Sequence, residues 1–157
     1  ERRIVVTGIG LRTPIGNSMN ELGESLRVGK SGVVRMDEWK NIGNLKTGVA
    51  GVCQNIDEKL IPHKYRRTMG RVSILAALAA MDAVAESGLD EDFIASPECG
   101  VSFGSTSGSS NTLESFLGRI LEKRSIKGLP SSSYLQFMSH TCAANLAMMF
   151  HTKGPVV

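Results

Sequence analysis

Four places in this sequence hold residue types that could do chemistry, and their spacing limits what each can do. His140-Thr141-Cys142 sets a base beside a thiol. Residues two apart on a helix, however, point about 200° apart around its axis and cannot hydrogen-bond to each other. His151 lies a further nine residues beyond Cys142. Cys142, between Thr141 and Ala143, therefore reads as a small buried hydrophobe rather than a nucleophile. The second place is the run Ile4-Val5-Val6-Thr7 with Gly8 and Gly10, which suggests a dinucleotide site. That fingerprint needs a third glycine where Thr13 stands, and Pro14 follows, so no helix opens there to hold a pyrophosphate. A strand-to-loop bend is the better reading. The third is Ser105 to Asn111, small and rich in exposed amides, which could cradle an anion at a helix N-terminus or form a tight loop lining a pocket. A phosphate loop would end in Gly-Lys-Ser/Thr, and no lysine precedes Lys123 in this stretch, so the pocket-wall reading is favoured. The fourth is Lys64, Arg66, Arg67 and Arg71, four positive charges within eight residues. No carboxylate pair, metal-ligand cluster or Ser/His/Asp arrangement is legible elsewhere.

The elements that must position these residues centre on one helix. Val72 to Met81 carries no charge, and alanines at 76, 77, 79 and 80 interleave with Ile74, Leu75, Leu78 and Met81. Every face is apolar or small, which predicts a helix buried on all sides. Glu86 and Ser87 return polarity, and Gly88 supplies a left-handed stop. The basic cluster sits at the solvent end of this buried rod, a rigid mount for a positive patch. Ile4 to Thr7 and Cys99 to Gly104 read as buried strands. Ser18 and Glu21 have capping-box spacing and start a short helix that stops at Gly29. Lys30 to Asn44 looks irregular, with Trp39 as its anchor, and Lys46 to Cys53 suggests a thin edge strand. An acidic connector runs from Leu89 to Pro97. A helix is expected from Asn111 to Lys123, with Leu113, Phe116, Leu117, Ile120 and Leu121 as its apolar positions, and another from Tyr134 to His151.

Bulk properties bound the function classes. With 41% hydrophobic and 21% charged residues, the chain has ordinary globular composition and one domain, or part of one, is the default. The net charge of +3 is local, so it points to a docking patch rather than a nucleic-acid coat. Aromatics at 5% leave no stacking platform among the basic residues, which argues against single-strand binding. Cys53, Cys99 and Cys142 are odd in number and lack C-x-x-C spacing, so neither a disulfide framework nor a zinc site is indicated and a reducing, cytoplasmic setting fits. No signal-peptide core follows the N-terminus, and Ile74 to Met81 is too short for a membrane span.

Four segments, in order, resemble the N-terminal part of the elongating β-ketoacyl-[acyl-carrier-protein] synthases of the thiolase superfamily: RRIVVTGIGLRTPIGN; SLRVGKSGV; KYRRTMGR with AALAAMDAVAESGL; and GVSFGSTSG followed by MSHTCAANLAMMFHTKGPVV. The resemblance implies an α/β chain, the N-terminal part of a five-layer αβαβα fold, in which the central helix is sandwiched between sheets. It implies a decarboxylating Claisen condensation without a cofactor or metal, in fatty acid or polyketide synthesis. The nucleophilic Cys, two His and a Lys of that family would all lie beyond Val157, so no catalytic residue is expected in this chain. Lys64, Arg66 and Arg67 match the segment that docks the acidic acyl carrier protein. Thr68 stands where some relatives carry a further Lys, which implies a weaker contact. Ser107 falls where the family contacts or gates the acyl chain. Tyr134, Phe137 and Met138 fall where it reaches across a homodimer interface to line the partner's acyl pocket.

Two rivals come from other classes. A non-catalytic ketosynthase-like partner, of the chain-length-factor type, would keep the fold and lack the nucleophile. About ten further residues would separate them, since Cys in a small-residue context marks the enzyme. An isolated acidic-protein-binding module would explain the charges but not the buried helix. On the leading reading, residues 1–157 are an incomplete synthase domain, with Gly154 to Val157 as a central strand cut before it can pair. Its missing partner is the rest of the polypeptide, and alone it neither condenses nor folds stably.

Overall fold

Ser18 starts the first helix as its sequence predicts. Its hydroxyl accepts the Glu21 N–H at 3.2 Å, and the Glu21 carboxylate returns to the Asn17 N–H at 2.7 Å. The first bond satisfies a donor that a helix N-terminus leaves orphaned, and the second ties down the residue before the cap. In the computed structural model, which describes residues 3–157, this helix, α1, runs Met19–Arg27 and gives way to Gly29 at φ +63. Two three-residue strands follow, β1 (Val33–Arg35) and β2 (Val49–Gly51), paired antiparallel with Val34 opposite Ala50. The second lies inside the expected edge strand. The first falls in the segment read as irregular, because a lone strand has no ladder partner until its mate is known.

Pro62 opens the one-turn helix α2 (His63–Arg66), and Gly70 precedes the long helix α3 (Arg71–Ser87), which ends at Gly88 with φ +67 as expected. The stretch expected to be buried on all sides, Val72 to Met81, has no exposed residue, and exposure within α3 is confined to Arg71 before it and to the last turns after it. Ser73, Ile74, Ala77 and Leu78 are buried, while Asp82, Ala85 and Glu86 are exposed. The buried face packs on α7 (Thr141–Phe150), and with Ile61, Met69, Cys142 and Leu146 it makes the core. The other side meets the extended N-terminal segment. Gly8 and Gly10 lie there against the carbonyls of Ala83 and Ala79, where any Cβ would collide. Ile9 N–H donates to the Glu86 carboxylate at 2.6 Å, and the Arg12 guanidinium pairs with Asp82 and the Leu78 carbonyl.

The predicted buried strand at Ile4 to Thr7 is not formed. Ile4 is 98% exposed and Val6 79%, and among the described residues nothing pairs with that backbone. Branched side chains favour a strand only where a neighbouring strand takes the hydrogen bonds. Cys99 to Gly104 fares better. Val101 N–H donates to the Pro155 carbonyl at 2.8 Å, Val157 N–H to Val101 at 2.9 Å and Phe103 N–H to Val157 at 2.9 Å, a short parallel ladder. The last four residues thus already pair, contrary to the expectation that they are cut before pairing.

The acidic connector holds a one-turn helix, α4 (Glu91–Ile94), capped by Asp90. Helix α5 (Ser110–Lys123) matches the sequence expectation within a residue. The helix expected from Tyr134 to His151 is two: α6 (Ser133–Phe137) and α7, broken at Met138 to His140. The Thr141 hydroxyl lies 2.5 Å from the Leu135 carbonyl and 2.7 Å from that of Met138, satisfying carbonyls left orphaned where α6 ends. The chain exposes 11225 Å², whereas a folded monomer of 16.8 kDa exposes about 7,700 Å². Val5, Leu26, Val28, Leu121 and Ile126 contribute to that surplus, each more than 60% exposed.

Candidate functional site

The basic segment is a short helix whose spacing divides its charges. Residues three apart share a helix face and residues two apart do not. Lys64 and Arg67 are both exposed. The Lys64 ammonium sits 4.5 Å from the centre of the Tyr65 ring, a cation–π contact that holds it at the surface. Arg66 points the other way. Its side chain is 23% exposed, and its Nη1 lies 3.7 Å from the Glu58 carboxylate. Arg71 is also engaged, donating to the Cys53 carbonyl at 3.0 Å. Of four cations close in sequence, only Arg66 has an ion-pair partner among the described residues, and with Arg71 held by a carbonyl, Lys64 and Arg67 are left to share one solvent-facing edge.

Three contacts fix this edge. The Tyr65 hydroxyl meets His151 Nε2 at 3.0 Å. The Gln136 amide donates to the Arg67 carbonyl at 2.9 Å. The Asn145 side chain, 3% exposed, bonds to Thr68 through both ends of its amide: Oδ1 accepts from the Thr68 hydroxyl at 2.8 Å, and Nδ2 donates to the Thr68 carbonyl at 3.3 Å. Sequence reasoning missed Asn145, although one amide in the otherwise apolar run from Cys142 to Phe150 was a visible signal. Beside this edge is a cavity of about 410 Å³ lined by Arg67, Thr68, Ser131, Ser132, Tyr134 and Leu135.

The other candidate residues sit apart from the basic edge or at its margin. Ser107 is exposed on its loop. The neighbouring Gly108, at φ +66, lies so close to the Phe137 carbonyl that a side chain would collide, which matches the tight-loop reading. Phe137 is half-buried and packs on Phe116 with ring centres 5.2 Å apart. Tyr134 is 54% and Met138 39% exposed. A second cavity, about 500 Å³, lies between α5 and α6 and includes Asn111, Phe116, Arg119 and Gln136.

His140 is exposed where α7 begins, whereas Cys142 is 1% exposed in the core. Burial pushes the Cys142 thiol above its usual pKa, outweighing the downward effect of a hydrogen bond with Ser73. A thiol held in this protonated state is a poor nucleophile. Peptide mapping after brief iodoacetamide treatment of the native full-length protein at mildly alkaline pH should find Cys142 unlabelled and Cys53, half-buried near the surface, labelled. Rapid labelling of Cys142 would contradict the burial. Among the described residues no group of three His, Cys, Asp or Glu could hold a metal ion, and no helix is long and apolar enough to cross a membrane.

This chain has relatives among known proteins. It is 32% identical over 155 residues to 3-oxoacyl-[acyl-carrier-protein] synthase 1 of Buchnera aphidicola, covering 98% of this chain and 38% of that protein. A β-ketoacyl synthase structure from Burkholderia phymatum superposes with a TM-score of 0.87 at 33% identity, over 100% of this chain and 39% of its own. A structure of a type II polyketide acyl-carrier protein in complex with its ketosynthase, bound to the hexaketide, matches with a TM-score of 0.67 at 20% identity, over 93% of this chain and 39% of its own. This last likeness concerns the fold alone. The mixed helix-and-strand chain thus has the thiolase-like α/β fold of these synthases and spans less than two fifths of their length. The model of the β-ketoacyl synthase N-terminal domain matches residues 1–157, and the chain belongs to that family.

Proposed function

We propose that residues 1–157 are the N-terminal part of a β-ketoacyl-[acyl-carrier-protein] synthase domain whose catalytic residues lie in the remainder of the same polypeptide. The match of the family model across the entire chain carries this reading. In the full protein an acyl group passes from its carrier thioester to a cysteine thiolate, releasing the carrier thiol. Malonyl carrier protein then loses CO₂, and its carbanion attacks the acyl-enzyme carbonyl, expelling the thiolate and leaving a β-ketoacyl chain two carbons longer on the carrier. A covalent intermediate divides one difficult step into easier ones.

In this scheme the present residues bind and shape rather than react. Lys64 and Arg67 form the landing edge for the acidic carrier protein, with Arg66 holding the segment from behind. Ser107 contacts the acyl chain, and Tyr134, Phe137 and Met138 reach a homodimer partner's pocket. The exposure of Tyr134 and Met138 supports that last assignment. The protein acts in the cytoplasm and needs no cofactor.

The test is to supply the full-length protein with acyl and malonyl carrier proteins and follow CO₂ release together with formation of the extended β-ketoacyl product. Stoichiometric appearance of both is expected. Carrier binding without either product would favour a non-catalytic chain-length-factor partner, and absence of carrier binding would overturn the reading.

A further inference from the structure

Resting on the docking reading above, we propose that Asn145 is a positioning residue for carrier-protein binding: from α7 it fixes the turn after α2, and with it the direction in which Lys64 and Arg67 present their charge. The helix itself gains nothing from an amide here. Asparagine is among the weaker helix formers, and burying its amide is unfavourable unless both ends find partners. Its buried neighbours on α7 include Cys142, Ala143 and Leu146, so an apolar side chain would suit the packing.

What the amide does is hold the docking segment. Oδ1 and Nδ2 grip the hydroxyl and carbonyl of Thr68, and Nδ2 also reaches the Ser73 hydroxyl at 3.4 Å in the first turn of α3. The Thr68 hydroxyl shares its single proton between Asn145 and the Tyr65 carbonyl, 3.0 Å away. One buried side chain therefore ties together the last turn of α2, the start of α3 and α7. The two outer ties, Tyr65 to His151 and Arg67 to Gln136, are exposed to competition from water. The Asn145 tie is part-buried or buried in each of its bonds, and in a low-dielectric site such bonds constrain geometry most strongly.

Each exposed cation is one residue from a tie, Lys64 beside Tyr65 and Arg67 beside Thr68. Charge complementarity fixes the register of a partner only if the charges are themselves fixed. Thr68 gains a second meaning here. A lysine at that position would add a cation but could not place a hydroxyl between Asn145 and the Tyr65 carbonyl, so this chain has a smaller patch with a fixed geometry.

The experiment uses the full-length protein and its Asn145→Leu, Thr68→Val, Thr68→Ser and combined Thr68→Val/Asn145→Leu variants. Carrier affinity is read by anisotropy of a fluorescently labelled carrier protein, and turnover by steady-state kinetics. Asn145→Leu and Thr68→Val are each expected to raise the carrier Kd and KM about three- to tenfold, with kcat at saturation held within about twofold. Thr68→Ser keeps the hydroxyl and should stay at the wild-type value. The combined variant should be little worse than Asn145→Leu alone, because both remove one contact. A folded Asn145→Leu protein with wild-type Kd would overturn the proposal, as would a fall in kcat as large as the rise in KM. If Asn145→Leu does not fold, Thr68→Val decides by the same criteria. A wild-type protein that binds the carrier without turning over would sink the condensing activity, while the Kd comparison would still judge Asn145. If the wild type does not bind carrier protein, the proposal fails with the docking reading.

Discussion

Reversing both exposed cations together, Lys64→Glu with Arg67→Glu in the full-length protein, is expected to raise the KM for acyl carrier protein by about tenfold or more at low ionic strength, with kcat nearly unchanged. Both side chains face solvent and lack a carboxylate partner among the described residues, so their charge is available to an acidic visitor. Neither holds the fold through its charge, and the change should leave thermal stability almost untouched. The increase should shrink as salt is added, because exposed charges are screened beyond about 8 Å at physiological ionic strength. Arg66→Gln makes the contrast. It removes the cation that faces Glu58 and should lower stability while moving the carrier KM less than either reversal. A double-reversal protein with unchanged carrier KM at low salt would remove Lys64 and Arg67 from the docking edge.

The division of labour among these cations was latent in the sequence. Once a helix begins at His63, Lys64 and Arg67 are three apart and Arg66 falls on another face, which is elementary helical spacing. What the residue types did not show is that Glu58, in the turn before Pro62, would meet Arg66. Local punctuation was legible for the same kind of reason. Ser18, Gly88 and the apolar stripe of α5 act within one or two turns of chain, and each appears where expected. The break between α6 and α7 was missed because no glycine or proline marks it. Its cause is the Thr141 hydroxyl folding back onto carbonyls up to six residues earlier. Strands were the least legible. Ile4 to Thr7 has strand residues and no partner among the described residues, whereas Val101 pairs with a segment more than fifty residues away, and a β-branched run cannot show where its partner lies. Asn145 was missed for a similar reason, since its partners sit more than seventy residues earlier.

Residues 1–157 expressed alone are expected to show no cooperative thermal transition and no malonyl decarboxylation. The argument is one of area. The surface in excess of a monomer of this mass is roughly 3,500 Å², the difference between 11225 Å² and the usual area scaling, comparable to what a large obligate interface hides. Much of it is apolar side chain that a folded protein keeps covered: Ile4, Val5 and Val6 on the N-terminal segment, Leu121 on α5, and Val157 at the end of the parallel ladder. At about 25 cal/mol per Å², leaving some 400 Å² of apolar surface wet forfeits about 10 kcal/mol, which already matches a typical domain stability of about 5 to 15 kcal/mol. The unpaired backbone of Ile4 to Thr7 adds an edge open to association with other chains. Isolated residues 1–157 should therefore be aggregation-prone or bind a hydrophobic dye strongly, and co-expression with the rest of the polypeptide should restore a sharp melt. The measurements are calorimetry and sedimentation of the isolated chain, with CO₂ release from malonyl carrier protein as the activity readout. A soluble monomer melting cooperatively would overturn the stability claim. Decarboxylation by the isolated chain would return His140 and Cys142 to consideration as reacting groups, despite the burial of one and the exposure of the other.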